Sequence, residues 1–143
     1  DLKVCIIGKC SPNSLANEIR QIAPPNVTFI CESPSFEELA HYIRKSAFVL
    51  APYCPDSVLS SGILMDSLSF GSKIIGPEVG SFKDYAREKR LNVYTFHDYE
   101  DIEKTVACYK TTPISLEDYR SFLNENNWEH FGNRIIKLVK SLK

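Results

Sequence analysis

Residues 47–76 read AFVLAPYCPDSVLSSGILMDSLSFGSKIIG. Residues 47–51 are predicted to form one strand and residues 73–76 the next. Between them, residues 61–70 are predicted to form a helix that Gly71 ends, because glycine accepts the backbone conformation that closes a helix. A strand, a helix and a second strand in this order predict parallel strands joined by a right-handed crossover.

Strands and helices alternate along the rest of the chain in the same way. Further strands are predicted at residues 2–8, 27–30 and 92–96, the first of them buried, and further helices at residues 14–23, 81–89, 99–109, 116–124 and 127–142, with one more beginning at Ser35. This alternation predicts an α/β fold: a three-layer, Rossmann-like parallel sheet of about five strands with helices on both faces. The length suits one domain, so residues 1–143 are predicted to form a single domain.

Polar residues mark where several of these helices begin. Asn13 or Ser14 can cap the first helix, and Ser81 can cap the fourth. Ser35 and Glu38 form a capping-box pattern, in which each side chain accepts a hydrogen bond from the backbone N–H of the other residue.

Charge and composition argue against several kinds of function. Lys and Arg together number 17 and Asp and Glu 18, so the net charge of −1 provides no basic excess for binding nucleic acid. The basic cluster Arg87, Lys89 and Arg90 falls at the end of a predicted helix, where positive charge is favourable. The three histidines are isolated and no C-x-x-C pair occurs, so no metal site is predicted.

Cysteine usage and hydropathy indicate a cytoplasmic protein. The five cysteines are odd in number, and Cys5 and Cys31 fall in strand-like apolar runs, where a thiol acts as a small hydrophobe. Free thiols fit a reducing compartment. The longest apolar runs fall far short of the roughly 20 residues that span a bilayer. The chain starts in a strand-like segment without an initiator Met, which suggests a fragment of a longer protein.

Ligands bind open parallel sheets at the carboxyl ends of the strands, so the loops after Gly8, Ile30, Ala51 and Gly76 are the candidate regions. Gly8 would let the backbone approach a ligand closely, and a plain strand-to-helix turn explains it equally well.

The helix start at Ser60, Ser61 and Gly62 is the most informative segment. Free N–H groups and the helix dipole at such a start attract phosphate. Asp66 lies four residues after Gly62, one turn down on the same face, where a carboxylate can accept hydrogen bonds from a ribose diol. The residues alone leave a second interpretation open, in which a serine only caps the helix and Asp66 is a solvated surface residue.

Two further titratable positions follow predicted strands. Glu78 ends the turn after the strand 73–76 and can reach the same edge of the sheet. His97 and Asp98 follow the strand 92–96, and an N-cap at Asp98 explains this pair as well as a functional role does.

Residues 66–75, DSLSFGSKII, resemble part of the donor-binding motif of retaining GT-B glycosyltransferases, the large group 1 family that uses nucleotide sugars. That family has Glu-Ala-Met-Ala-x-Gly-x-Pro-Val-Ile at this place. Other segments resemble the family in the same order along the chain, namely residues 27–30, 36–39, 46–52, 76–80 and 127–129. The resemblance therefore extends over nearly the whole chain.

The resemblance implies a donor-sugar site and a role for each of its residues. Asp66 would hold the ribose, and Gly8 would lie under the phosphates. The backbone of residues 60–64 would hold the diphosphate and the sugar, and the loop around Glu32 and Ser33 would meet the nucleobase. The implied donor-binding residues are Gly8, Glu32, Ser33, Ser60, Ser61, Gly62, Ile63, Leu64 and Asp66.

The resemblance also implies a reaction and its partners. The protein would transfer a sugar from a nucleotide diphosphate to a glycan or lipid-linked acceptor with retention, without a metal or a resident cofactor. The other wall of the cleft would come from an N-terminal acceptor domain of the same protein, which would also provide any peripheral association with the cytoplasmic face of the membrane. The isolated chain is expected to be inactive.

Two departures from the family pattern keep other functions open. The family's first acidic residue, which grips the donor sugar, falls at Val58, and Asp56 lies two positions out of register. A valine cannot hydrogen-bond a hydroxyl, so the first alternative is a degenerate domain that binds a nucleotide or a partner without transfer. The family's first strand–helix unit is also missing. The remaining strands would take the order 2-1-3-4-5, which is flavodoxin-like if the gap left by that unit closes and which exposes a sheet edge to pairing with another chain if the gap stays open. A flavodoxin-like or receiver-like signalling module is the second alternative.

Overall fold

The computed structural model of the chain describes residues 2–54, 56 and 60–142. Parallel strands alternate with helices, which confirms the predicted α/β class. The chain divides into two compact units, residues 1–41 and residues 42–143. Within the described ranges, no helix combines the length and the apolar character that crossing a membrane requires.

Each predicted strand and helix is present. The strands are β1 (Val4–Ile7), β2 (Val27–Ile30), β3 (Val49–Leu50), β4 (Ile74–Pro77) and β5 (Val93–Phe96). The helices are α1 (Asn13–Ile22), α2 (Phe36–Lys45), α3 (Gly62–Ser69), α4 (Gly80–Tyr85), α5 (Tyr99–Tyr109), α6 (Leu116–Glu125) and α7 (Trp128–Ser141).

The strands pair in parallel, in two sheets rather than in one. β1 pairs with β2, and this ladder runs from Val4 opposite Val27 to Ile7 opposite Ile30. The second sheet contains β3, β4 and β5 in that order. The prediction of a single sheet of about five strands is therefore wrong, whereas the predicted neighbours on either side of the possible gap, 2-1 and 3-4-5, are confirmed. Strand–helix alternation specifies parallel neighbours, but it does not specify whether two separate ladders join.

The second unit has an apolar core between its sheet and its helices. Leu64 and Leu68 lie one turn apart on α3 and belong to the same cluster as Ile74 of β4 and Phe82 of α4. All four side chains are almost fully buried. Burying each side chain of this kind stabilises the fold by roughly 1.5–3 kcal/mol. The other buried members of the cluster are Ala51, Leu91, Val93, Tyr119 and Phe122.

The side chain of Tyr119 connects α6 to the edge of this sheet. Its buried hydroxyl oxygen accepts the backbone N–H of Asn92 at 2.9 Å. The same hydroxyl can donate to Ser72 O at 3.2 Å or to Asn92 Oδ1 at 3.0 Å. Burial raises the pKa of Tyr119 to about 12, so the phenol stays protonated and neutral at physiological pH.

Lys73 connects α5 to the same sheet, although a buried lysine is unusual. Only 4% of the residue is exposed, and its ammonium donates to Tyr109 O at 2.7 Å and to Lys110 O at 2.9 Å. Burial lowers the pKa of Lys73. The ammonium satisfies carbonyl groups that the end of α5 leaves free, and it complements the negative end of the helix dipole.

Two of the predicted helix ends are confirmed. The Ser35 N–H donates to Glu38 Oε2 at 2.8 Å, and the Glu38 N–H donates to Ser35 Oγ at 3.3 Å, which is the predicted capping box. These bonds lower the pKa of Glu38. Gly71 ends α3 as predicted, with a φ of 70° that favours glycine at this position.

Two other predicted caps are wrong. Pro12 occupies the N-cap position of α1, so residues 13 and 14 lie inside the helix rather than at its cap. α4 begins earlier than predicted, with Val79 in extended backbone as its N-cap. Ser81 therefore lies inside the helix, and its buried hydroxyl has no hydrogen-bond partner within the described part of the chain.

The basic cluster of Arg87, Lys89 and Arg90 follows α4 rather than ending it, so its predicted role at a helix terminus is wrong. Arg90 instead binds Glu125 through two bonds of 2.9 Å and 3.0 Å and contacts Glu88 at 3.1 Å. The hydrogen bonds from Arg90 hold the pKa of Glu125 down to about 2. The cluster thus provides a cation that connects the loop after α4 to the end of α6.

β1 is exposed, although its apolar sequence predicts a buried strand. Val4 and Ile6 are each 42% exposed, and Cys5 on the opposite face is exposed as well. Ile7 is half-buried. The prediction is therefore wrong, because an apolar run specifies a strand whereas burial depends on what packs against its faces.

Candidate functional site

The candidate site begins at the start of α3, which Ser61 caps. α3 connects the parallel strands β3 and β4, so it runs back along them and its start lies at their carboxyl ends. Ser61 Oγ accepts the N–H of Leu64 at 3.3 Å, and the residue is only 6% exposed. The N–H groups of Gly62 and Ile63 belong to the first turn and have no carbonyl four residues back within the helix.

Gly62 leaves this helix start open to solvent. The residue is exposed, and a Cβ atom added to it would meet no described atom within 4 Å. Ser60, the residue before the cap, is exposed too. Among the described residues, Gly62 therefore presents the start of α3 to solvent, and no crowding there accounts for the glycine.

Asp66 lies on the outer face of α3. The buried residues Leu64, Ser67 and Leu68 define the inner face, and Asp66 lies opposite them on the side of Gly62. Its side chain is half-buried. The predicted position, one turn below the helix start on the same face, is confirmed, and its proposed contact with a ribose stays a prediction.

The other implied contacts with the sugar cannot be placed in the same way. Val58 lies outside the described residues. Asp56 is described, and it is exposed in the loop between β3 and α3. Ile63 is half-buried and Leu64 is fully buried. Ser61 occupies the N–H of Leu64, so among the described contacts only Ile63 of these two keeps a backbone donor at the helix start.

In the first unit, the structure brings together Gly8, Glu32 and Ser33 at the carboxyl end of the β1–β2 ladder. The Gly8 N–H donates to Ile30 O at 3.1 Å, which extends the ladder by one bond beyond β1. Glu32 and Ser33 follow directly after β2 and are exposed. The residues from Ser60 to Asp66 belong to the second unit.

The structure also forms a pair that sequence analysis missed. Glu78 follows β4, and His97 follows the neighbouring strand β5. His97 Nε2 contacts Glu78 Oε2, with 32% of the glutamate side chain exposed. The signal for this pair is that both residues come directly after adjacent strands. A carboxylate and an imidazole in contact can hold a ligand hydroxyl or exchange a proton.

The predicted helix cap at Asp98 is confirmed, at the start of α5. Its Oδ1 accepts the N–H of Asp101 at 3.1 Å at the start of α5. Asp101 in turn accepts the His97 N–H at 3.1 Å, and this bond lowers the pKa of Asp101. The backbone beside the imidazole of His97 is therefore held in place by the first turn of α5.

A concave surface pocket of about 310 Å³ lies apart from these residues in sequence, where α6 meets α7. It is lined by Asn126, Asn127, Trp128 and Phe131. None of these side chains is ionisable, and Asn127 already caps α7 by accepting the N–H of His130 at 2.9 Å. The helix start of α3 offers more suitable chemistry for an anionic ligand.

Within residues 2–54, 56 and 60–142, no three His, Cys, Asp or Glu side chains lie close enough together to hold a metal ion. No protein-family profile matches the chain, and neither does any curated protein or solved structure.

Proposed function

We propose that this chain is the donor-binding domain of a retaining, metal-independent glycosyltransferase that uses a nucleotide-diphosphate sugar. The observation that supports the proposal most is the open, Ser61-capped start of α3 at the carboxyl end of a parallel sheet. Asp66 lies one turn below it on the same face. A diphosphate and a ribose are adjacent in a nucleotide, so a phosphate held at the helix start would place the ribose on the side of α3 that carries Asp66.

The proposed chemistry is electrostatic. When the bond between sugar and diphosphate breaks, negative charge grows on the departing phosphate oxygen. The N–H groups of Gly62 and Ile63 and the positive end of the helix dipole would stabilise that charge. The carboxylate of Asp66 would accept hydrogen bonds from the two ribose hydroxyls and hold the nucleotide in position for transfer.

An acceptor-binding domain would complete the proposed enzyme. The family that this chain resembles places the acceptor on a separate domain, and we extend that arrangement to this protein together with its cytoplasmic location. Under this proposal the isolated chain binds the nucleotide without transferring the sugar. Sugar transfer by the isolated chain would show that the acceptor site lies within residues 1–143.

Calorimetry with UDP, GDP and ADP tests the proposal. One of the three should bind, and Asp66→Ala should weaken that binding roughly tenfold or more, as expected when a charged hydrogen-bond acceptor is removed. Asp84→Ala is the matched control, because Asp84 is an exposed aspartate on α4, and it should leave affinity unchanged. Absence of binding by all three nucleotides, or equal affinity in Asp66→Ala, would contradict the proposed site.

A second candidate is a domain that binds a nucleotide without transferring its sugar. Val58 favours it, since a valine stands where the family's sugar-gripping carboxylate falls. The two candidate functions differ in how much the sugar contributes to the affinity for the ligand. A transferase should bind one nucleotide-diphosphate sugar more tightly than the bare diphosphate, whereas the non-catalytic domain should bind both equally.

A further inference from the structure

The last helix, α7, keeps its apolar side chains exposed. No residue of α7 is buried among the residues that the structure describes. The large apolar side chains of the helix and of its C-cap are each between 44% and 86% exposed, namely those of Trp128, Phe131, Ile135, Ile136, Leu138, Val139 and Leu142. A helix of 14 residues is only marginally stable in water by itself, so a surface that covers these side chains would stabilise it.

The apolar side chains of α7 share one face of the helix. At about 100° per residue, the apolar residues from Leu138 round to Ile136 occupy nearly half of the helix circumference. The polar and charged residues occupy the opposite half, namely Glu129, His130, Asn133, Arg134, Lys137, Lys140 and Ser141. The apolar face is wider than the seam of a two-stranded coiled coil, so it suits a broad apolar surface better than a single partner helix.

The polar face of α7 is basic, although the chain as a whole is not. Arg134, Lys137 and Lys140 carry positive charge, and Glu129 is the only acidic residue in the sequence 128–141. Arg134 also donates to Glu125 O at 3.3 Å, and this contact with a carbonyl group leaves its charge in place. The net charge of −1 on the whole chain does not favour an anionic surface, whereas the charge of this helix does.

Two aromatic rings lie at the start of the apolar face. Trp128 and Phe131 pack edge to face, with 5.7 Å between the ring centres. Trp and Phe on the apolar face, with Lys and Arg on the polar face, are typical of helices that lie in the interface of a bilayer. A second copy of α7 explains the pattern less well, because three cations and one anion on each helix would bring like charges together along the contact.

We propose that α7 binds the surface of an anionic lipid bilayer, with its apolar face among the headgroups and its cations against the lipid phosphates. The helix would lie parallel to the surface of the membrane. Removal of the apolar face from water and attraction of the cations would both contribute to binding. The family resemblance attributes membrane association to a separate domain, whereas this inference assigns it to the chain itself. It does not depend on the nucleotide site, so failure of nucleotide binding would leave it unaffected.

The fluorescence of Trp128 tests the proposal directly, because Trp128 is the only tryptophan of the chain. Vesicles of equal parts phosphatidylglycerol and phosphatidylcholine are added to the protein at low salt, and sedimentation of the vesicles measures the bound fraction. The emission should shift to shorter wavelength until it saturates, and the protein should sediment with the vesicles. Vesicles of phosphatidylcholine alone should bind about tenfold more weakly or worse, and high salt should remove this difference.

Replacements on the two faces of α7 separate the two contributions. Leu138→Ala removes apolar surface and should weaken binding about tenfold or more, whereas Asn133→Ala on the polar face is the matched control and should bind unchanged. Lys137→Ala combined with Lys140→Ala should weaken binding to the anionic vesicles about 25-fold. Arg87→Ala removes an exposed cation outside α7 and should have no effect. Circular dichroism checks that each variant is folded.

Unchanged Trp128 emission with the anionic vesicles would overturn the proposal. A shift that appears without lipid as the protein concentration rises would overturn it too, because a second copy would then cover α7. Equal binding by Leu138→Ala and Asn133→Ala would show that the apolar face of α7 does not contact the bilayer.

Discussion

β1 and β4 are both four-residue strands of apolar sequence with a parallel partner, yet they differ in burial. Every residue of β4 is buried, with α3 and α4 in contact with the strand. β1 has the sequence Val-Cys-Ile-Ile, and its first three residues are exposed. The comparison shows that an apolar run determines strand formation and pairing, whereas burial depends on the elements that cover its faces.

The same difference in burial indicates that β4 contributes more to stability than β1 does. Ile74 of β4 is fully buried and belongs to the same core cluster as Leu64 and Phe82. Ile6 of β1 keeps 42% of its surface exposed. The same side chain therefore has a different energetic value in the two strands, and unfolding measurements can show this directly.

Replacing one isoleucine in each strand should give the largest contrast. Ile74→Ala removes a fully buried side chain and leaves a cavity, so it should lower the free energy of unfolding by about 2–5 kcal/mol. Ile6→Ala removes less buried surface and should cost under about 1 kcal/mol. Urea denaturation followed by circular dichroism measures both values. Equal losses would show that β1 is covered in solution.

A matched pair of glycines should give the next largest contrast. A Cβ atom at Gly76 of β4 would overlap the ring of Phe82, so Gly76→Ala should destabilise the protein by about 1–3 kcal/mol through overpacking. Gly8, directly after β1, has no atom of the described residues within 4 Å of the same added atom. Gly8→Ala should therefore leave the midpoint of thermal unfolding nearly unchanged, and a large decrease would contradict the open surroundings of Gly8.

Lowering the pH should change the free energy of unfolding least. One carboxylate in each unit allows this change to be measured. Both Glu38 and Glu125 have lower pKa values in the folded protein than their ordinary value near 4.5, and that of Glu125 is about 2. Their contributions to stability are thus present above pH 4.5 and disappear as the pH falls towards 2. Glu125→Gln should flatten the pH dependence of unfolding in this range, as should Glu38→Gln for the first unit. If the free energy of unfolding depends on pH in both variants as it does in the unmodified protein, the hydrogen bonds assigned to Glu38 and Glu125 are contradicted.

Local interactions were the predictable part of this fold. Ser35 and Glu38 are three residues apart, and Gly71 directly follows its helix, so the sequence contains both partners of each helix end. Ser81 shows the limit, because a serine near a helix start does not reveal that Val79 takes the cap position. The sequence likewise places Asp66 one turn below Gly62 because helix geometry fixes that relation.

Contacts between distant segments were not predictable in the same way. The Glu78–His97 pair depends on β4 and β5 lying side by side. The division into two sheets depends on how whole ladders join. Neither relation has a local signature, although parallel pairing explains the first once the neighbours are known.

Binding of a nucleotide diphosphate at the open start of α3 is reported most directly by the backbone N–H groups of Gly62 and Ile63. Amide chemical shifts can be recorded by NMR while UDP, GDP or ADP is added. Saturable shifts are expected at these two amides with one of the nucleotides, together with a weaker apparent affinity in Asp66→Ala. Unchanged Gly62 and Ile63 signals at millimolar concentrations of all three nucleotides would contradict this binding.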